Sequence, residues 1–137
     1  MSNRTFVLIK PEGIDRGLVG EIITRLEKKG LKMEAISVIS PDRKLVEAHY
    51  NEHIGKEFYP RIVDHLVGQK CVAMIWRNPD QGNAVFLVRN LMGQTDPVTA
   101  TPGTIRGDFG AFIGKNIIHG SDSPAAAERE IKLWFDN

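Results

Sequence analysis

Apolar and polar residues recur along the chain with two different periods, and these periods predict where strands and helices lie. Residues 5–10 are a mostly apolar run that ends at Pro11, and residues 31–40 alternate loosely, so both segments are predicted to be strands. Residues 70–77 are mostly apolar at both odd and even positions, which is typical of a central strand that is covered on each side.

Residues 18–26 carry apolar side chains at helical spacing and Gly30 follows as a stop signal, which predicts a helix. Further helices are predicted at about residues 44–53, 57–67, 83–92 and 124–135. Residues 93–107 show no clear periodicity and are rich in Thr, Pro and Gly, so they are expected to form an irregular loop. Loops of this length inside a domain are usually functional.

The predicted order is strand, helix, strand, helices, strand, helix, strand and a final helix, without a repeat or a linker. This order fits a split βαβ arrangement. We therefore expect an α/β (α+β) fold in which helices pack on a four-stranded antiparallel sheet. A chain of 137 residues is expected to form one domain, residues 1–137.

His119 ends a short apolar run, and small polar residues separate it from the last helix. Ser123 is a favourable N-cap and Pro124 suits the first helical position, so the histidine is expected on a rigid segment beside a polar turn. Glu130 lies on the apolar stripe of that helix, where a carboxylate is seldom left unpaired. If it accepts a hydrogen bond from His119, one imidazole nitrogen stays free to react. The alternative is a structural core histidine with Glu130 partly solvated.

Composition and charge exclude several classes of protein. Eighteen basic and 17 acidic residues give a net charge of +1, so no global basic field exists for nucleic acid. Cys71 is the only cysteine and lies in an apolar run, which excludes a disulfide within the chain and indicates an inert, buried thiol. Without a signal peptide or a membrane-length apolar segment, a cytoplasmic enzyme or binding protein is expected.

No familiar phosphate-binding motif is present. Gly-Lys occurs at residues 55–56 and 114–115, but neither pair is followed by Ser or Thr as in a P-loop. Cationic and hydroxyl side chains that suit phosphate oxygens remain, with aromatics that could cover a ring. These candidates are Lys10, Tyr50, Phe58, Arg89, Thr95, Thr104 and Arg106. Together with a histidine in a cleft they indicate phosphoryl transfer. Two alternatives remain: Lys10 could lie at the edge of the core with its charge in solvent, and Phe58 could belong to the core.

His49 and His53 are four residues apart, as zinc ligands on a helix can be. The intervening residues lack the glutamate placement of a metalloprotease. A solvated helix face is therefore the expected role of this pair.

The stretch Asn-Ile-Ile-His-Gly-Ser-Asp-Ser at residues 116–123 resembles the active-site signature of the nucleoside diphosphate kinase family. Further matches to that family's pattern lie at residues 4–13, 16–23, 47–50, 102–109 and 128–131. The resemblance thus covers essentially the whole chain. It implies a ferredoxin-like α/β sandwich, in agreement with the predicted strand order.

The resemblance implies that the chain transfers the γ-phosphate of a nucleoside triphosphate, typically ATP, to a nucleoside diphosphate through a phosphohistidine at His119. The cycle would be ping-pong. Glu130 would orient the imidazole with help from Ser121. Lys10 and Asn116 match the residues that hold the sugar hydroxyls. Lys10 and Tyr50 would also lie near the transferring phosphate.

Arg89, Thr95 and Arg106 match the family's phosphate-binding residues, with Mg²⁺ bridging the phosphates rather than bound mainly by side chains. Phe58 and Ile113 match the pair between which the base lies, and stacking alone does not discriminate between bases. The implied partners are ribo- and deoxyribonucleoside tri- and diphosphates and further copies of the chain, as a hexamer or tetramer. Neither a membrane nor nucleic acid is expected as a partner.

The sequence departs from the family pattern at three places. Glu12 stands where the common pattern has Asp, which affects fine positioning. The connection at residues 76–81 is about three residues longer than usual, with an expected effect at the surface. The chain also ends at Asn137 without a long tail, and because tail and loop take part in assembly in the family, the number of subunits stays open.

Two other functions are alternatives to the kinase. One is a nucleotide- or RNA-binding module on the same scaffold, with a structural His119. RNA-binding members of that architecture carry stacked aromatics on central strands and a basic face, whereas Phe6 is the only such aromatic near the start of this chain. The other is a phosphocarrier for a protein partner, but Lys10, Arg89 and Arg106 favour a small triphosphate donor.

Overall fold

Four antiparallel strands form one sheet in the computed structural model, which describes residues 3–80 and 82–136. The strands are β1 (Arg4–Ile9), β2 (Lys32–Ile39), β3 (Cys71–Arg77) and β4 (Ile118–Gly120). Their order across the sheet is β2-β3-β1-β4, so β1 and β3 occupy the centre. The predicted fold class is confirmed, and so is the prediction that residues 70–77 form a covered central strand.

Seven helices accompany the sheet among the described residues. They are α1 (Pro11–Asp15), α2 (Val19–Lys28), α3 (Arg43–His49), α4 (Tyr59–Leu66), α5 (Ala84–Met92), α6 (Ile105–Phe109) and α7 (Pro124–Phe135). Single 3₁₀ turns lie at Asn51–His53 and Ile113–Lys115. Ser123 accepts a hydrogen bond from Ala126 N, so the predicted N-cap of the last helix is confirmed.

The alternation of side chains along β1 divides the core into two layers. Val7 and Ile9 point to the layer that contains α2 and α5, where Val88 is buried. Phe6 and Leu8 point to the other layer, which packs against α3, α4 and α7. Because β4 pairs with β1, the residue opposite Leu8 is His119. The second layer therefore ends at the histidine that the sequence singled out.

Two local predictions differ from the structure. Pro11 ends β1 as expected, but it also begins the short helix α1, because its fixed φ suits a first helical position. The expected irregular loop at residues 93–107 is wrong at its end, where Thr104 caps α6 by accepting a hydrogen bond from Gly107 N. Both helices have only five residues, too few to display a helical period in the sequence.

The longer connection predicted after β3 includes Gln81, which lies outside the described residues. After it, Asn83 caps α5 by accepting a hydrogen bond from Phe86 N. Of the helices in residues 3–80 and 82–136, none combines the length and the apolarity needed to cross a bilayer.

Candidate active site

A cavity of about 370 Å³ opens where β1 ends and β4 begins, between the 3₁₀ turns and α5. Every predicted site residue except Ser121 and Thr104 lines it: Lys10, Tyr50, Phe58, Arg89, Thr95, Arg106, Ile113, Asn116, His119 and Glu130. A neighbouring cavity of about 630 Å³ is larger, but it shares only Arg89 and Asp122 with the first and contains no histidine. Because the first cavity gathers the reactive and charged groups, we take it as the candidate active site.

His119 reaches this cavity from β4, and its side chain is 21% exposed. Its Nε2 lies 3.0 Å from Glu130 Oε1, a hydrogen bond between imidazole and carboxylate. Since an ionised carboxylate only accepts, Nε2 carries the proton and the neutral ring has its lone pair on Nδ1. The imidazole thus has one anchored nitrogen and one nucleophilic nitrogen.

Glu130 is buried, with 4% of its surface exposed, so the alternative of a partly solvated residue is wrong. Burial alone would raise the pKa of this carboxyl, but His119 and the Ser121 hydroxyl stabilise the anion and bring the pKa down to about 2. Ser121 Oγ donates to Glu130 Oε1 over 2.6 Å from behind the cavity. The carboxylate is therefore ionised and held in place near neutral pH.

His49 lies beside the candidate nucleophile, and the expectation that it belongs to a solvated helix face is wrong. It is only 2% exposed because α3 packs against α7, where Trp134 Nε1 donates to His49 Nδ1 over 3.1 Å. The ring centroids of His49 and His119 are 4.5 Å apart. Burial, followed by the charge of His119, lowers the pKa of His49 well below its usual range. The ring is neutral, with its proton on Nε2.

A ligand atom from each of His49, His119 and Glu130 lies within 4.8 Å of the others, as in many metal sites. The hydrogen bonds give these atoms another use. His49 Nδ1 already accepts from Trp134, and its Nε2 is protonated, so a metal ion could bind Nε2 only if the Trp134 bond broke. We therefore interpret the cluster as a support for His119, in which Glu130 hydrogen bonds to the imidazole and the His49 ring packs against it.

Arg129 adds to this support. It donates to the carbonyl oxygens of Ala48 at 3.0 Å and His49 at 3.5 Å. The end of α3 is in this way fastened to α7.

Three cations converge on the opposite wall of the cavity. Arg106 is 5% exposed and donates to Ile118 O at 2.6 Å and Gly93 O at 3.1 Å. Burial, and then the charge of Arg89, lower the pKa of Arg106 to about 10. Lys10 has its pKa lowered to about 8 by burial and by the charge of Arg106. Positive groups packed this closely repel one another, which makes the cavity suited to a multivalent anion.

Asn116 connects the cationic wall to β4. Its Oδ1 accepts from Lys10 Nζ at 2.7 Å, and its Nδ2 donates to Thr95 O at 3.1 Å. Burial raises the pKa of the Tyr50 phenol, so this hydroxyl stays protonated and available as a donor. Thr104, by contrast, is occupied in capping α6 and faces the neighbouring cavity, so it is not brought into the site.

Two apolar side chains line the cavity and are exposed. Phe58 is 38% exposed and Ile113 is 53% exposed. The alternative that Phe58 belongs to the core is therefore wrong. An exposed aromatic ring beside a cationic pocket suits a ligand with a flat ring and a charged tail.

A sequence model of the family described as nucleoside diphosphate kinase matches residues 3–137. The chain belongs to the nucleoside diphosphate kinase family. A nucleoside diphosphate kinase from Heliobacterium modesticaldum is 49% identical over 134 residues, covering 98% of this chain and 88% of the relative. One from Saccharomyces cerevisiae is 48% identical, covering 98% of this chain and 86% of the relative.

Solved structures of nucleoside diphosphate kinases share the fold. One from Halobacterium salinarum in complex with CDP has a TM-score of 0.93 and 47% identity, covering all of this chain and 90% of the other. An apo structure from Encephalitozoon cuniculi has a TM-score of 0.93 and 43% identity, covering 99% and 90%. The family assignment makes this chain a nucleotide-binding phosphotransferase, which confirms the nucleotide phosphotransfer that the resemblance implied. Kinases of this family generally need a divalent cation.

Proposed function

We propose that the chain transfers the γ-phosphate of ATP or another nucleoside triphosphate to a nucleoside diphosphate through a phosphohistidine on Nδ1 of His119. The observation that supports this most strongly is the 3.0 Å hydrogen bond between His119 Nε2 and Glu130 Oε1. It places the lone pair of the imidazole on Nδ1, on a ring that lines the cationic cavity.

In the first half-reaction, Nδ1 attacks the γ-phosphorus, an N–P bond forms, and the bond between that phosphorus and the β,γ-bridging oxygen breaks. The nucleoside diphosphate leaves with both electrons of the broken bond. Positive charge that develops on the imidazole is balanced by Glu130, which Ser121 holds in place. The second half-reaction is the reverse with a different diphosphate, so one cavity serves both nucleotides.

Phosphoryl transfer depends on positioning and on charge stabilisation. Lys10, Arg89 and Arg106 supply the charge, while Thr95 and the Tyr50 hydroxyl add neutral donors. Lys10 Nζ and the Asn116 amide lie within one hydrogen bond of each other, as two groups that share the sugar hydroxyls would.

Mg²⁺ is the divalent cation we propose, held mainly by the nucleotide phosphates. The cavity fits this use, because exposed carboxylates at Glu52 and Asp122 line it beside the cations and offer hard oxygen ligands. When bound, the ion would neutralise charge on the phosphate oxygens. Phe58 and Ile113 would hold the base by contact with its faces, which favours no particular base. Both ribo- and deoxyribonucleotides are proposed substrates.

We further propose that residues 1–137 act as one catalytic domain in the cytoplasm and assemble as a homo-oligomer, a hexamer or a tetramer. Strand β2 supports the assembly, since it lies at the edge of the sheet. Two apolar side chains on it, Ile36 and Val38, are 49% and 64% exposed. An exposed apolar edge strand is a surface that proteins usually cover.

Labelling with ATP tests the chemistry. Protein incubated with γ-labelled ATP and Mg²⁺ is expected to take up a label that is labile to acid and stable to base, and that leaves when a nucleoside diphosphate is added. ATP labelled at the α-phosphate is the control, because it reports bound nucleotide rather than a transferred group. His119→Ala should take up no γ-label while it still binds nucleotide in calorimetry.

The other outcomes identify the alternatives. A nucleotide- or RNA-binding module would take up no covalent label in the unsubstituted protein. A phosphocarrier for a protein partner would be labelled but would keep the label when the diphosphate is added. Label that persists in His119→Ala would place the phosphoryl group on another residue.

A further inference from the structure

Ile117 has a backbone conformation that a β-branched residue rarely adopts. Its φ is +79°, and it is the only non-glycine residue of the described chain with a positive φ. Ile118 N donates to Asn116 O at 2.9 Å, so residues 116–118 form a γ-turn of the rare form with positive φ. Such strain persists only where surrounding groups hold it, and it tends to occur at functional sites.

Glu12 is one of the groups that hold this turn. Its Oε2 accepts a hydrogen bond from Ile117 N at 2.9 Å, and its Oε1 lies 2.7 Å from His65 Nε2. The residue is 7% exposed. A carboxylate with two partners and little solvent has a fixed orientation, and its hydrogen bond to an amide is of the strong, charge-assisted kind.

The opposite end of the same peptide unit is also held. Asn116 O, which shares that unit with Ile117 N, lies 3.4 Å from Arg106 Nε. An anion on the N–H side and a cation on the C=O side therefore fix one peptide plane. Asn116, which contributes the C=O of this peptide, and Arg106, which contacts that oxygen, both line the candidate active site.

We propose that Glu12, fixed by His65, is a positioning residue that keeps the 116–117 peptide in its strained orientation and thereby sets Asn116 and Arg106 for the nucleotide. The proposal rests on the function assigned above to those two residues. Glu12 stands where the family pattern has Asp, and in this chain it pairs with His65.

The first test is Glu12→Gln, which keeps the size of the side chain and removes the charge. Asn116 and Arg106 bind the nucleotide both before and during transfer, so losing their alignment should raise KM and leave kcat nearly unchanged. We expect KM for ADP to rise about tenfold, the usual difference between a charged and a neutral hydrogen-bond acceptor. Asp15→Asn is the matched control, because it removes an exposed carboxylate from the same helix.

The second test uses the strain itself. Glycine adopts positive φ without a steric penalty, so in an Ile117→Gly background the peptide no longer needs the carboxylate. Glu12→Gln should then raise KM less than about twofold. If Glu12 were merely structural, Glu12→Gln would lower the melting temperature, and its effect on KM would not depend on the residue at position 117. An unchanged KM in Glu12→Gln, or an equal rise in both backgrounds, would overturn the proposal.

The Ile117 amide provides a readout that does not depend on activity or on the glycine variant. Its ¹H resonance should lie downfield in the unsubstituted protein and move upfield in Glu12→Gln, and by less in His65→Leu. No movement in Glu12→Gln would overturn the proposal. If the unsubstituted protein formed no phosphohistidine, the proposed function would fail, whereas this resonance and the calorimetric affinity for ADP would still test the role of Glu12.

Discussion

Ser121 Oγ donates to Glu130 Oε1 over 2.6 Å, and the same oxygen lies 3.0 Å from His119 Nε2. One carboxylate oxygen thus receives two hydrogen bonds, one from a buried hydroxyl and one from the candidate nucleophile. Because Ser121 N also donates to Phe6 O in β1, the serine is fixed to the centre of the sheet. Hydrogen bonds through Ser121 and Glu130 therefore connect the imidazole of His119 to the central strand β1.

Ser121→Ala should slow transfer without abolishing it. The substitution removes one donor from Glu130 but leaves the bond to His119, and a single hydrogen bond is worth about 1 kcal/mol, so a loss of roughly fivefold is expected. The measurement is the rate of phosphohistidine formation after rapid mixing with ATP. Ser40→Ala, at an exposed serine after β2, should leave the rate unchanged. A Ser121→Ala rate equal to that of this control would show that Ser121 only supports the fold.

Glu130→Gln should reduce the same rate about tenfold, because a neutral amide oxygen orients the imidazole and balances its developing charge less well than a carboxylate. Nucleotide affinity in calorimetry should change little, since Glu130 acts through the histidine. The combined variant Ser121→Ala/Glu130→Gln should lose less than the product of the single losses, because both residues act through one oxygen. Independent, multiplicative losses would contradict the shared role.

The same carboxyl group predicts how stability depends on pH. The pKa of Glu130 is lowered from 4.5 to about 2 in the folded protein, so the ionised group stabilises the fold above pH 4.5. This stabilisation is lost as the pH falls through 4.5 toward 2. Urea unfolding at pH 7, 4.5 and 3.5 should show that the free-energy difference between the protein and Glu130→Gln narrows with acidification. A constant difference would mean that the pKa is not shifted.

The sequence predicted the reactive pair because both members follow local patterns. Glu130 falls on the apolar stripe of a strongly periodic helix, and the structure gives that helix the predicted bounds, Pro124–Phe135. His119 ends a short apolar run, just before a polar turn and a well-capped helix. Periodicity reports which face of an element is covered, so contact between the two side chains was one of the two interpretations that the sequence left open.

Other parts of the site depend on contacts between distant segments, which local patterns do not report. His49 is buried because α3 packs on α7 and Trp134 supplies a donor, while its own neighbours in sequence suggested a solvated face. The γ-turn at Ile117 is held by Glu12, 105 positions away in the chain. The sequence gives no sign of this strain, because a β-branched residue such as Ile117 normally avoids positive φ.

Lys10 should make nucleotide binding sensitive to alkaline pH. Its pKa is lowered to about 8, so the free protein loses this charge as the pH rises through 8. KM for ADP should therefore increase between pH 7.5 and 9. The Lys10→Arg variant keeps its charge over this range. Whatever its KM at pH 7.5, that KM should vary less with pH than the KM of the unsubstituted protein. A KM that is independent of pH in the unsubstituted protein would contradict the lowered pKa.

Phe58 offers the sharpest test of how the base is bound. Stacking on an aromatic ring is worth about 1–3 kcal/mol per base and depends little on which base it is. Phe58→Ala should therefore raise KM by about tenfold or more for ADP, GDP and deoxythymidine diphosphate alike, while kcat changes little. Phe86→Ala is the matched control, because Phe86 is 64% exposed and lines the neighbouring cavity instead. A loss confined to one base would mean that its edge is recognised by hydrogen bonds, and the broad substrate range proposed for this cavity would then be wrong.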